Sequence, residues 1–234
     1  MTLLNPILHS PVFGIALTVG LYWGMVKLKA RYRRVHPLIC TAAVIIAILV
    51  LGDIPYEDYR IGGEWLSWAL GPATVALAVP LYKHASLIRS KLAPVMTGIT
   101  LGAIVSAGMT ACIFYLTGAS MELMYSAVAK SSSAPFSMEI ARRLGGIPEL
   151  AAAISVLTGL FGSLAGPAFL RLCGVRSDIA IGAAIGTSSH GIGTARLMET
   201  SELQGSVSGF AMAAAGMIST LLMLPVYWWL LSSS

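Results

Sequence analysis

Lys130-Ser131-Ser132-Ser133-Ala134-Pro135 interrupts one apolar segment of this chain, and Gly186-Thr187-Ser188-Ser189-His190-Gly191-Ile192-Gly193-Thr194 interrupts another. An apolar stretch precedes each break, and a short helix-like stretch with charges follows it. Inside lipid, a backbone that leaves helical geometry must find its partners in protein or in a water-filled cavity. Two such breaks in a small chain predict two half-helices aimed at a shared polar site. Many secondary transporters hold their substrate in that way.

The rest of the chain agrees with a membrane setting. Of 234 residues, 56% are hydrophobic and 11% are charged, against roughly 25% charged in soluble domains. Nothing in the pattern reads as a cleaved signal peptide, so the first apolar stretch is expected to stay as a span. The net charge of +5 sits in short clusters between apolar runs, which suits a positive-inside topology and not nucleic-acid binding. Cys40, Cys112 and Cys173 are isolated, with neither metal spacing nor a disulfide framework. No phosphate loop, zinc motif or nucleophile elbow is present, so neither a cofactor nor an enzyme activity is expected.

The expected fold class is therefore all-α: a polytopic membrane protein with about seven or eight hydrophobic segments, two of them broken. The segments fall at 8–27, 36–52, 65–82, 92–117, 121–144, 148–170, 178–199 and 204–231, each near the roughly 20 residues that a span needs. Lys27, Lys29, Arg31, Arg33 and Arg34 place the first loop in the cytoplasm and the N-terminus outside. Asp53, Glu57, Asp58 and Glu64 suit the outer face, and Lys83, Arg89 and Lys91 the inner one. If 121–144 crosses once, Arg142 and Arg143 are inside, and Arg171 and Arg176 fall outside against the rule. Tyr227, Trp228 and Trp229 read as an interfacial belt. We expect one transmembrane transporter domain over 1–234 with an internal repeat, 1–118 and 119–234. Leu70 to Ala78 in the first half corresponds to Ile185 to Gly193 in the second. Four crossings per half would make the repeats parallel, and an odd number would invert them.

The candidate ligand residues cluster at the breaks. Serine favours a helix cap and proline its first turn, so Ser131, Ser132, Ser133 and Pro135 predict a half-helix over 135–144. Its free N–H groups and positive dipole end would face a carboxylate. Thr187, Ser188 and Ser189 would play the same part for a second half-helix from His190 to Met198, which also carries Thr194. Membrane helices use such residues for packing too, but two dense clusters at two breaks favour binding. Lys130 is an ionisable residue between apolar segments, a ligand by default or a snorkelling anchor. His190 titrates near neutral pH and suits proton coupling, with a core imidazole as the plain alternative. Glu139 with Arg143, and Arg196 with Glu199, have the spacing of ion pairs on one helix face. Arg196 could instead fork onto a carboxylate.

These breaks also carry a resemblance. Lys130-Ser-Ser-Ser-Ala-Pro-Phe-Ser-Met-Glu-Ile140 is similar to the pattern Lys-Ser-Val-Thr-Thr-Pro-Ile-Ala-Met-Glu-Ile. Gly186-Thr-Ser-Ser-His-Gly-Ile-Gly-Thr-Ala195 is similar to Gly-Thr-Ser-Ser-His-Ala-Ile-Gly-Thr-Ala, and Leu70-Gly-Pro-Ala-Thr-Val-Ala-Leu-Ala-Val-Pro-Leu-Tyr82 also matches. The patterns are those of the LrgB/CidB family, with its YohK proteins and the C-terminal half of the plastidal glycolate/glycerate translocator. The chain departs from them at Ser132, Ser133, Ala134 and Gly191. The resemblance implies transport of small monocarboxylates such as glycolate, glycerate or pyruvate across the bacterial inner membrane. Its alternative implication is holin-like or antiholin-like control of murein hydrolase export and lysis. A small LrgA/CidA-type membrane protein is the implied partner. Proton or cation coupling and homo-oligomerisation stay open.

Overall fold

The computed structural model describes residues 9–32, 37–76 and 78–233. Arg33 and Arg34 of the basic cluster lie outside them. The described residues are mostly helical, with no strand among them. They form two compact units, Met1–Ala76 and Leu77–Ser234.

The first unit holds α1 (Pro11–Arg31), α2 (Pro37–Leu51), α3 (Tyr56–Trp68) and α4 (Leu70–Ala76). Ser10 caps α1 by accepting from the Val12 N–H, and Pro11 opens the helix. Gly14 and Gly62 let α1 and α3 touch backbone to backbone. A Cβ on Gly62 would sit 2.6 Å from the Gly14 Cα. A hydrogen bond of 3.0 Å between the Thr18 and Tyr59 hydroxyls fastens the same crossing.

The second unit contains α5 (Ala78–Lys83), α6 (Ala85–Ser90), α7 (Leu92–Leu116), α8 (Met121–Ala127), α9 (Ala134–Leu144), α10 (Pro148–Leu172), α11 (Asp178–Met198) and α12 (Glu202–Ser233). Among the described residues, four helices are long and apolar enough to cross a membrane: α1, α7, α10 and α12. α2 is a shorter apolar helix. The expected segment at 65–82 falls on the end of α3, on α4 and on α5, and that at 121–144 on α8 and α9.

Two reversals organise the second unit. In the first, α8 ends at Ala127, residues 128–133 turn, and α9 runs back. Pro135 fits the first turn of α9 because it lacks the N–H that would go unused there. Gly145 closes α9 in the left-handed region at φ 85°, where only glycine avoids a Cβ clash. Gly146 then lies against Tyr125 and Ser126, and the Ile147 N–H donates to Ser126 Oγ at 2.8 Å. The second reversal occupies one residue. His190 has φ 38° and ψ −131° inside α11. The two halves of α11 fold together, with Gly193 against Ile185 and Ser189 and Leu197 packed on Ile181 and Ile185.

Long helices run past both turns. Along α10, Ser155 meets Ser137, while Gly159, Gly162 and Gly166 meet His190, Ser189 and Ile185 in order. These small residues let both hairpins approach closely, as membrane packing favours. Along α12, Ser208 meets Gly186, Met212 meets Gly191, and Gly216 meets Phe136. The two turns thus enter from opposite ends of the unit and meet near the middle of α12.

This geometry corrects the expected path. The single crossing assumed for 121–144 put Arg171 and Arg176 across the membrane from Lys83 and Lys91. Because α9 returns beside α8, α10 carries Arg171 the other way. Leu170 and Val175 pack with Ile181 and Leu197. At that end Lys83 pairs with Glu202 at 2.9 Å, and Lys91 borders the same cavity as Ser177. The four basic residues share one end of the unit.

Candidate functional site

A cavity of about 740 Å³ lies between α7, the first half of α11 and the 128–133 turn. Lys130, Ser131, Thr187 and Ser188 line it, so residues from both polar breaks reach one space. Ser106 of α7 and Thr158 of α10 join them. Lys91 and Ser177 sit at the opposite end, where α7 and α11 begin.

Lys130 is half-buried. Its Nζ donates to Ser106 Oγ at 3.1 Å, and Ser106 Oγ shares a 2.5 Å hydrogen bond with Ser131 Oγ. Among the described residues no carboxylate pairs with Lys130, and no acidic side chain lines the cavity. A desolvated ammonium is costly without an opposite charge, so this arrangement favours an anion. Thr187 Oγ1 donates to the Ala183 carbonyl at 2.7 Å, and Ser188 Oγ to the Ala184 carbonyl at 2.8 Å. Both oxygens keep lone pairs, and each could accept a hydrogen bond from a ligand hydroxyl.

Among the remaining break residues, Ser132, Ser189 and Thr194 are buried in protein. Ser133 occupies the N-cap position of α9, but its side chain makes no capping bond; its carbonyl accepts from the Ser137 N–H instead. The helix begins at Ala134, one residue before the expected start, and Pro135 is exposed. Ser132 is buried and its Oγ has no hydrogen-bond partner among the described residues. Ser189 is buried against α10 at Gly162. Thr194 Oγ1 donates to the His190 carbonyl at 2.8 Å and meets Ser208 Oγ at 2.8 Å.

His190 is 5% exposed. The backbone of Lys130 and of Ser155 lies against its imidazole, while Nε2 is buried with no hydrogen-bond partner among the described residues. Gly159 provides the room, since a Cβ there would fall 2.6 Å from His190 Cε1. His190 therefore links the two turns without lining the cavity. Ser188 and Ser189 bond to each other at 3.2 Å, and neither is bonded to His190.

Glu139 accepts from Arg143 at 2.7 Å and from Arg142 at 3.0 Å on an exposed face of α9. Neither Glu139 nor Arg196 lines the cavity. Ser106, Thr158 and Lys91 do line it, and sequence reasoning passed over them. Ser106 is a single serine in a long apolar helix. Its only signal would have been a spacing along α7 that points it at Lys130.

The chain matches the LrgB-like family over residues 18–230 and belongs to that family. The uncharacterised protein YwbG of Bacillus subtilis is 35% identical over 210 residues, covering 89% of this chain and 93% of its own length. The holin-like protein CidB of Staphylococcus epidermidis is 31% identical over 214 residues, covering 90% of this chain and 93% of its own. The Staphylococcus aureus CidB is 29% identical over 210 residues, covering 89% and 92%. No solved structure matches. Family and apolar helices together make the chain a multi-pass membrane protein of holin-like kinship, as expected for the bacterial inner membrane.

Proposed function

We propose that this protein is a secondary transporter of small monocarboxylates, which it binds at Lys130 where the two turns meet. The observation that carries the reading is a half-buried lysine in a cavity with no acidic lining residue. In this reading α7, α10 and α12 cross the bilayer, and the α8–α9 and α11 hairpins enter from opposite faces and return. The broken helices then meet near the midplane, where such transporters place substrate. Positive-inside bias puts Lys83, Lys91, Arg171 and Arg176 in the cytoplasm, so the cavity opens inward. His190, buried between the turns, is the candidate for proton coupling. A small LrgA/CidA-type protein remains the expected partner.

The relatives named holin-like favour a second reading, in which the protein modulates release across the membrane. Uptake into proteoliposomes separates the two. Labelled glycolate, glycerate or pyruvate should enter saturably, and a pH gradient should drive accumulation. A hydrogen bond to a charged ligand contributes about 1.5–3 kcal/mol, so Lys130→Gln should weaken apparent affinity about tenfold or more. Unsaturable leakage of trapped carboxyfluorescein, with uptake indifferent to Lys130→Gln, would replace transport with the pore.

A further inference from the structure

The cavity is far larger than a two- or three-carbon acid requires, and a long apolar stretch separates its polar ends. A short hydroxy acid takes up roughly three or four waters' worth of space, on the order of 100 Å³ at ~30 Å³ each. The cavity holds about 740 Å³, which falls among sites for ligands of drug size, roughly 300–1,000 Å³. Lys91 and Ser177 mark one end, and most of its polar groups gather with Lys130 at the other. From there to Lys91 the walls are Val95 and Gly98 of α7 and Ile179, Ala180, Ala183 and Ala184 of α11. The stretch of α7 between Pro94 and Ser106 runs for ~18 Å at 1.5 Å per residue.

We infer that the cavity takes an amphipathic monocarboxylate, its carboxylate on Lys130 and an apolar body lying between α7 and α11. The inference rests on the reading of Lys130 as the anion ligand and adds the class of substrate. A short hydroxy acid would leave the apolar walls facing water. A chain of several methylenes would cover them, and removing that surface from water is the larger source of affinity. Gly98 marks where the body lies, because a Cβ there would meet nothing within 4 Å. A larger side chain at Gly98 therefore fills the cavity without disturbing its neighbours, and leucine is also the better helix former.

The test uses the full chain in lipid nanodiscs and measures displacement of labelled hexanoate, with empty nanodiscs subtracted for partitioning into lipid. Affinity should rise up to about fourfold per methylene from butyrate to octanoate, the limit set by ~0.8 kcal/mol per buried CH₂. Gly98→Leu should weaken octanoate about tenfold, far more than it weakens glycolate. Lys130→Gln should weaken every acid. Octanamide, which has the body without the charge, should compete poorly. Glycolate binding that depends on Lys130, with no gain along the acid series, would overturn this inference and keep the transport reading. Octanamide competing as well as octanoate would also overturn it, making the cavity a slot for lipid tails. No acid binding through Lys130 at all would overturn both.

Discussion

The turn at 128–133 and the turn at His190 reverse the chain by different means. The first uses six residues and sends Lys130 and Ser131 into the cavity. Its hairpin is closed at a distance, by Gly145 in the left-handed region and by Ser126 holding the Ile147 N–H. The second uses one residue in a strained conformation and buries its tip, with Ser189 at 0% and His190 at 5% exposure. It contributes to the cavity only from its flank, through Thr187 and Ser188. Two similar clusters of small polar residues thus do different jobs. One presents groups to the cavity, and the other satisfies a tight backbone packed against α10 and α12.

That contrast breaks first at glycine. In α11, a Cβ on Gly186 would lie 2.8 Å from the Ser208 Cα and 2.9 Å from the Ala211 Cβ. Backbone cannot move aside cheaply, so Gly186→Val should cost about 3 kcal/mol or more and remove monodisperse protein from detergent extracts. At the first hairpin, Gly145 has open space but φ 85°. Gly145→Ala should cost only about 1–2 kcal/mol, the left-handed penalty, and the protein should still be recovered folded. Equal losses in a thermal unfolding series would show that both hairpins rest on the same kind of contact. Gly191→Ala restores the residue of the family pattern. Its Cβ would meet only Met212 Sδ at 3.7 Å, so it should be silent.

The sequence marked where small polar residues cluster but not which way the chain runs through them. The boundaries of α7, α10 and α12 came within a few residues because long apolar runs declare themselves. The reversals did not, because Pro135 and Gly145 permit a helix start and stop without saying that the next helix returns. Arg171 and Arg176 were the visible warning, since they broke the charge rule under a single crossing. Hydroxyl clusters also conceal their direction: Ser131 faces the cavity and Ser132 faces protein, though they are adjacent and identical. Ser106 and Gly98 were invisible because each draws its meaning from a neighbour distant in the chain.

A second prediction sharpens the role of His190. A non-glycine residue at φ 38° stores strain of about 1–3 kcal/mol and persists where its side chain is needed. His190→Gly should therefore unfold at a higher temperature than His190→Ala, by the equivalent of about 1–2 kcal/mol. Both should transport poorly, because the imidazole that touches the backbone of Lys130 is gone. His190→Gln keeps a hydrogen-bonding side chain but cannot change charge. If His190 couples protons, this variant should lose gradient-driven accumulation and keep downhill exchange, and the pH dependence between about 5 and 8 should flatten. Accumulation with an unchanged pH profile would make His190 a clasp between the turns and nothing more.

The smallest expected effect discriminates best between presenting and packing roles within the first turn. Ser137 is fully buried, donates to the Ala129 carbonyl at 2.7 Å and accepts from Ser155 at 2.6 Å. Ser137→Ala should strand the Ser155 hydroxyl and cost about 1–3 kcal/mol. Ser132 is equally buried, yet its Oγ has no partner among the described residues. Deleting an unsatisfied hydroxyl removes a desolvation penalty, so Ser132→Ala should leave stability unchanged or raise it by up to about 1 kcal/mol. The two variants differ by one hydroxyl each and sit five residues apart, so the sign of the difference in unfolding temperature is the readout. Transport gives the second axis. Ser132→Ala should leave affinity for the carboxylate within about twofold, because its side chain lies outside the cavity. A tenfold loss of affinity with stability intact would mean that the turn rotates to offer Ser132 to the bound anion. The 128–133 turn would then be a moving ligand loop, while the His190 turn stays fixed.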